Sequence, residues 1–220
     1  MTNVILYEFI QKEGYSLRKL VDGLLETMHD ESQGTIIHEY GDDFLKATYW
    51  KKRKRREYRY NIDKKDFEIV EEDIVDIADF GIQIKERKLL IFGNKQMAQR
   101  IITLLGIISK NAYIISEFII DIERFVKKVC NQKGIVLLKM KLSDISIEKG
   151  VLVDCTINLL EQNEPTRLAL KYISNIMAIS FHLDGLSANV NVYKSGKFSI
   201  NKIEDDEKDE MIQKIVEIVG

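Results

Sequence analysis

The chain has 220 residues, 33 Lys and Arg against 35 Asp and Glu, a net charge of −2 and 45% apolar residues. That is long enough for one sizeable core or two small ones, and it carries no global basic bias towards nucleic acid or anionic membrane. The two cysteines, Cys130 and Cys155, lack redox or metal-ligand spacing, and the one proline, Pro165, leaves no room for a Pro-rich linker.

The N-terminus has no basic region followed by a long apolar run, so no signal peptide is expected. The longest mainly apolar stretches, residues 101–108 and 118–122, fall short of the ~20 residues a membrane span needs. The expectation is a soluble cytoplasmic protein, nuclear if the source is eukaryotic, with no membrane partner.

Residues 3–10 have the β-branched and aromatic content of a first strand, broken at Gly14. Leu17, Leu20, Val21, Leu24, Leu25 and Met28 recur at helical spacing, with Ser16 as N-cap. Residues 35–40 read as a strand, 41–43 as a turn, and Phe44 starts a second strand. Residues 51–56 are six consecutive cations, which suits the exposed end of two strands, with residues 57–62 leading back. Residues 66–80 are acidic, and their pattern fits a short helix or a strand equally.

Next come a strand at 81–85, a turn at 86–88, a strand at 89–93 and a helix from Asn94. Ile115, Phe118, Ile119, Ile122, Phe125, Val126 and Val129 make the cleanest helical stripe, ended by Gly134. Strands are expected at 135–147, 151–160 and 176–183, and Leu168, Leu170 and Tyr172 alternate like another. Asp184-Gly185 is a turn signal. A strand ending at Tyr193, a turn at 194–197, a strand at 198–203 and a helix from about Asp206 close the chain.

That terminal unit matches the one at 81–108. Met97, Ile101, Ile102, Leu104 and Leu105 fall opposite Met211, Ile215, Val216, Ile218 and Val219. At an offset of 98 residues, Leu17, Leu20, Val21 and Leu24 fall opposite Ile115, Phe118, Ile119 and Ile122. The expected fold is therefore α+β: two tandem pseudo-symmetric repeats, residues 1–110 and 111–220, each an antiparallel sheet packed on helices within one body. This order resembles the TATA-box-binding-protein fold, which has two tandem repeats of a helix, a five-stranded antiparallel sheet and a long terminal helix. The resemblance lies in residues 81–108 and 188–219, and more weakly in 17–28 and 115–129. It is one of topology, with no family motif matched, and it implies a fold rather than an activity.

The basic run carries the sharpest functional signal. Lys51, Lys52, Arg53, Lys54, Arg55, Arg56 and Arg59 suit phosphate, and Tyr49, Trp50, Tyr58 and Tyr60 flank them as base-stacking candidates. In an extended segment Trp50, Lys52, Lys54, Arg56, Tyr58 and Tyr60 share one face. The run also suits a localisation signal, a solvated tip or a contact to an acidic partner, and residues 66–79 could neutralise it within the chain. The matching loop of the second repeat, 161–165, lacks the charge, so the surface would be one-sided.

Catalysis has little support. His29, His38 and His182 are scattered, and no phosphate loop, nucleophile elbow or zinc motif is present. Asp79, Gln83 and Lys85 loosely follow the acidic–x–Lys pattern of metal-dependent nucleases, with one carboxylate replaced. Residues 205–210 are acidic in the way a helix N-terminus favours. The reading is a non-enzymatic, nucleic-acid-contacting subunit of an intracellular complex, without cofactor, metal or catalytic residues. The alternatives are a protein-interaction or assembly module using the open sheet face, including self-association, then a metal-dependent nuclease, then a helix-grip pocket for a small ligand.

Overall fold

The computed structural model describes the chain apart from residues 13, 27–30, 185–187, 202–207 and 220. Met28, His29, Gly185, the expected helix start at Asp206 and the first half of the acidic segment 205–210 therefore lie outside the described residues. The protein is α+β, with a large antiparallel sheet and, among the described residues, five α-helices. It divides into two compact units, one of residues 8–116, the other of residues 1–7 and 117–220. The division falls inside the first strand, β1 (Thr2–Gln11).

The first unit runs α1 (Leu17–Glu26), β2 (Gln33–Tyr40), β3 (Phe44–Asn61), β4 (Asp66–Gln83), β5 (Lys88–Phe92) and α2 (Lys95–Ile108), with β6 (Tyr113–Glu117) at its end. Its strands lie in the order β2-β3-β4-β5-β1, and β6 also pairs with β1. Ser16 Oγ accepts the Lys19 N–H at 3.4 Å, and Asn94 accepts the Met97 N–H at 2.9 Å, so both helices start on a side-chain cap. Leu17, Leu20, Val21 and Leu24 bury one stripe of α1; Met97, Ala98, Ile101 and Leu105 bury one stripe of α2. Beneath them Leu45, Ala47, Phe80, Ile82, Leu89 and Ile91 alternate along three strands and are all buried. The register puts these positions on one face, since a pleated strand sends alternate side chains to opposite sides.

In the second unit α3 (Ile122–Asn131) precedes β7 (Ile135–Glu148) and β8 (Val151–Asn158). Then come α4 (Pro165–Lys171), β9 (Ile176–Leu183), β10 (Asn189–Tyr193), β11 (Lys197–Asn201) and α5 (Lys208–Val219). Its strand order is β1-β11-β10-β9-β7-β8. Ile122, Phe125, Val126 and Val129 of α3 and Met211, Ile215 and Val219 of α5 are buried. Phe125 packs on Phe181 of β9 with ring centroids 6.1 Å apart, and Lys128 Nζ donates to the Ile218 carbonyl at 3.2 Å.

Three expectations need correction, and one open choice is decided. Residues 115–119 are not helical: Tyr113–Glu117 is β6, and α3 begins at Ile122 because Asp121 accepts the Arg124 N–H at 3.0 Å and caps it there. The buried residues of α1 therefore match those of α3 at an offset of 105, not 98. The alternation at Leu168, Leu170 and Tyr172 is not a strand, because Pro165 occupies the first turn of helix α4, where its missing N–H costs nothing. The ambiguous acidic segment is a strand, β4, along its whole length. The six-cation run does not turn back: β3 continues through it to Asn61, and the turn lies at 62–65.

Among the described residues no helix is long and apolar enough to cross a membrane.

One turn in the second unit tolerates only glycine. Gly196 has φ +77°, its N–H donates to the Tyr193 carbonyl at 3.1 Å, and its carbonyl accepts the Leu6 N–H at 3.0 Å. A Cβ there would run into the backbone carbonyl of Phe118. Gly150 has nearly the same φ, +82°, but open space around it. Gly196→Ala is expected to cost about 2–4 kcal/mol, against about 1 kcal/mol for Gly150→Ala, measured by urea denaturation.

Candidate functional site on a two-stranded arm

β3 and β4 pair without a bulge from Phe44↔Gln83 to Asn61↔Asp66, so the numbers of paired residues always add to 127. The flanking strands stop earlier. β2 pairs β3 only as far as Lys51, and β5 pairs β4 only as far as Asp79. From Lys52↔Val75 outward the hairpin is a two-stranded arm, roughly 30 Å long at the usual rise per residue. Its turn is fixed by Asn61, whose Oδ1 accepts the N–H groups of Asp63 and Lys64 at 3.0 and 3.1 Å, and by the left-handed Lys65, φ +52°. Hydrogen bonds from Lys64 and Asn61 hold the Glu68 carboxyl below the usual carboxylate range.

The register sets a basic strand directly against an acidic one. Arg56 Nε sits 2.7 Å from Glu71, Lys54 Nζ 3.6 Å from Glu71, and Arg53 Nε 2.8 Å from Asp76. Arg59 bridges Glu57 at 3.1 Å and Glu72 at 2.6 Å, and Arg55 also pairs with Glu57. Arg100 of α2 reaches Asp76 at 3.5 Å and ties the base of the arm to the helix layer. Residues 51–76 hold nine Lys or Arg and eight Asp or Glu, so the arm is close to neutral. Lys51 and Lys52 make no ion pair among the described residues. Apart from the part-buried Arg100–Asp76 contact these pairs are solvent-exposed, so each contributes little to stability.

The two faces of the arm differ. Lys51, Arg53, Arg55, Glu57 and Arg59 share the helix-side face with Asp76, Ile74, Glu72, Val70 and Glu68. The other face, continuous with the open side of the sheet, carries Trp50, Lys52, Lys54, Arg56, Tyr58 and Tyr60 against Ile77, Val75, Asp73, Glu71, Ile69 and Phe67. At the tip of this face Tyr58 is 75% and Phe67 65% exposed, and Tyr60 meets Phe67 edge-on at 5.3 Å. At its base Ile77 and Val75 are exposed, and Trp50 lies over Gly34, where a Cβ would come within 2.9 Å of the indole.

The structure thus places ten of the eleven candidate residues along the arm and its base. Tyr49 is the exception as a stacking residue. It points to the helix side, is 2% exposed, and donates its hydroxyl to Gln33 Oε1 at 2.9 Å. The sequence reading missed Phe67, Ile69, Val75 and Ile77, because their strand was unassigned; its Phe67–Ile69 spacing was the available signal.

Other chemistry is dispersed. Asp79 accepts a hydrogen bond from the Thr48 hydroxyl at 2.6 Å, and His38 Nε2 lies 2.6 Å from the same oxygen. Lys85 pairs with Asp43 instead, each holding the other's charged form, so Asp79, Gln83 and Lys85 do not form one centre. Among the described residues no group of three His, Cys, Asp or Glu is placed to hold a metal ion. On the helix side a cleft of about 340 Å³ is lined by Gln33, Gln96, Gln99 and Arg100 together with Leu104 and Ile107. Cys130 is half-buried, which pushes its thiol pKa up.

No protein-family model matches this chain, and no curated protein matches it either.

The carboxylates of β4 compete with any polyanion for the cations of β3. Glu71→Gln, Glu72→Gln and Asp76→Asn combined are expected to raise the salt concentration that elutes the protein from heparin, because Arg53, Lys54 and Arg56 lose their carboxylate partners and Arg59 loses one of its two. The single substitutions should each change stability by no more than about 1 kcal/mol in thermal melts.

Proposed function

We propose that this protein is an assembly module that docks a protein partner through the open face of the β3–β4 arm. The observation that carries this reading is the exposed apolar surface at both ends of that face: Tyr58, Tyr60, Phe67 and Ile69 at the tip, Val75 and Ile77 at the base. Exposed apolar residues that cluster, rather than scatter, mark interaction surfaces. A two-stranded ribbon is also marginal in water, so an arm of this length gains order from whatever covers it. The ion pairs along both faces favour a protein over a polyanion, since Arg53, Lys54, Arg55, Arg56 and Arg59 already have carboxylate partners.

A second reading keeps nucleic acid as the partner. Lys51 and Lys52 without ion pairs, and Tyr58 and Tyr60 exposed on the face that carries Lys52, support it. For the fold, we propose that the two units are tandem repeats of one helix–sheet–helix plan, similar to the TATA-box-binding-protein fold. The matching buried stripes of α1 and α3, and of α2 and α5, support that proposal.

A photo-reactive benzophenone amino acid in place of Tyr58 or of Phe67, with a control at Lys149, tests the docking face in cells. The expected result is a discrete adduct that resists nuclease, is removed by protease, and is absent from the control. A nuclease-sensitive adduct would instead support the nucleic-acid reading, and adducts no stronger than the control would remove the arm face as a docking surface.

A further inference from the structure

The open face of the arm has a second property, which comes from the order of its residues. Going outward it reads apolar (Trp50 with Ile77), mixed (Lys52 with Val75), charged (Lys54 and Arg56 with Asp73 and Glu71), then apolar again (Tyr58 with Ile69, Tyr60 with Phe67). Within the charged band the sign depends on the strand, β3 basic and β4 acidic. Asp73 and Lys52 make no ion pair among the described residues, so this face keeps unmatched charges of both signs.

Resting on the docking-face reading above, we infer that the occupant of this face is the same face of a second copy of this chain, the two arms lying parallel about a two-fold axis that runs along them. The charges select this arrangement. Two ribbons stacked face to face have two ways to be related by a two-fold axis. An axis across the strands would lay β3 on β3 and β4 on β4, cation over cation and anion over anion, which is repulsive. An axis along the strands lays β3 of one copy over β4 of the other. Each residue then faces the residue whose number completes 127, in the second copy as it already does in its own. Lys54 lies over Asp73, Arg56 over Glu71, Tyr58 over Ile69, Tyr60 over Phe67 and Trp50 over Ile77. Lys54 and Arg56 each meet a carboxylate and the apolar residues of both ends meet apolar ones; the one mixed position is Lys52, which lies over Val75.

Stacked sheets lie about 10 Å apart with side chains between them, a spacing that these aromatic and long charged chains fill. The contact is small. An arm roughly 30 Å long and about 10 Å wide offers some 300 Å² per copy, well under the ~800 Å² per partner of a standard interface. The dimer is therefore weak, with half-association on the order of 100 μM.

Sedimentation velocity over a concentration series from about 5 to 500 μM, with the emission of Trp50 followed in parallel, tests this. Trp50 is the only tryptophan of the chain and lies in the contact. The mass should rise from one chain of 25.6 kDa towards two, and the emission should shift to the blue over the same range. Tyr58→Ser with Ile69→Ser should move half-association upward by at least tenfold. Lys54→Glu with Arg56→Glu, and separately Glu71→Lys with Asp73→Lys, should each keep the chain monomeric, while an equimolar mixture of the two recovers a heterodimer. Far-ultraviolet circular dichroism shows whether each variant is folded, and the wild-type series needs no variant. A single-chain mass and constant Trp50 emission up to the highest concentration would overturn the inference. So would a dimer indifferent to the substitutions, or folded charge variants that fail to pair when mixed. If the wild type stays monomeric while the benzophenone at Tyr58 still captures another protein, the docking face stands and the second copy does not.

Discussion

The arm depends on its register. Eighteen residues of β3 face eighteen of β4 without a bulge, and the ion pairs, the split between the two faces and the apolar tip all follow from that single alignment. A slip of one residue would move every β4 side chain to the other face, setting Ile69, Val75 and Ile77 among the Arg residues of the helix side. The alignment is anchored at both ends. At the tip Asn61 holds the backbone of Asp63 and Lys64, and at the base Arg100 holds Asp76. Between these anchors the opposite charges disfavour slips that bring like charges together. Their contribution to specificity exceeds their contribution to stability, as expected for exposed pairs.

The same charges explain why a two-stranded ribbon with free edges need not pair edge to edge with its own copies. Unpaired backbone groups on an edge recruit other strands. Here the outer part of the β3 edge is lined by Lys52, Arg53, Lys54, Arg55 and Arg56, and that of β4 by Glu68, Glu71, Glu72 and Asp73. Two-fold edge pairing of like strands would oppose like charges directly. Face-on contact avoids this, and the face away from the helices carries the strongly exposed apolar residues, Tyr58, Tyr60, Phe67, Ile69, Val75 and Ile77, whereas Val70 and Ile74 on the helix side are half-buried.

Much of the fold was legible in the sequence because helix stripes and caps are local. Asn94, Ser16 and the apolar spacing of α1, α2 and α5 sufficed. The failures have physical causes. Ile115, Phe118 and Ile119 extend the period of α3 backwards, but a helix begins where its N–H groups find a cap, and that is Asp121. The basic run looked like a turn because six cations repel when considered alone. In the folded chain they do not stand alone, since β4 supplies carboxylates opposite Lys51, Lys54, Arg55, Arg56 and Arg59. The partner strand begins only five residues after β3 ends, yet its alternation of acidic and β-branched residues is compatible with either a helix or a strand. Only the pairing settles it as a strand.

That dependence on the partner strand changes what the cations can do. A row of exposed Lys and Arg attracts polyanions because binding releases counterions from the nucleic acid. A row already matched by carboxylates at 2.6–2.8 Å gains less, because each phosphate contact must first displace a carboxylate. The residues left with binding capacity are then Lys51, Lys52 and Asp73, which make no ion pair among the described residues, and the exposed apolar ones at the two ends. Charge that is only partly matched along the shaft and apolar surface exposed at its ends together favour a partner with the same alternation. The most economical source of such a pattern is the arm of another copy, because its register reproduces the required order of charges without a second sequence having to match it.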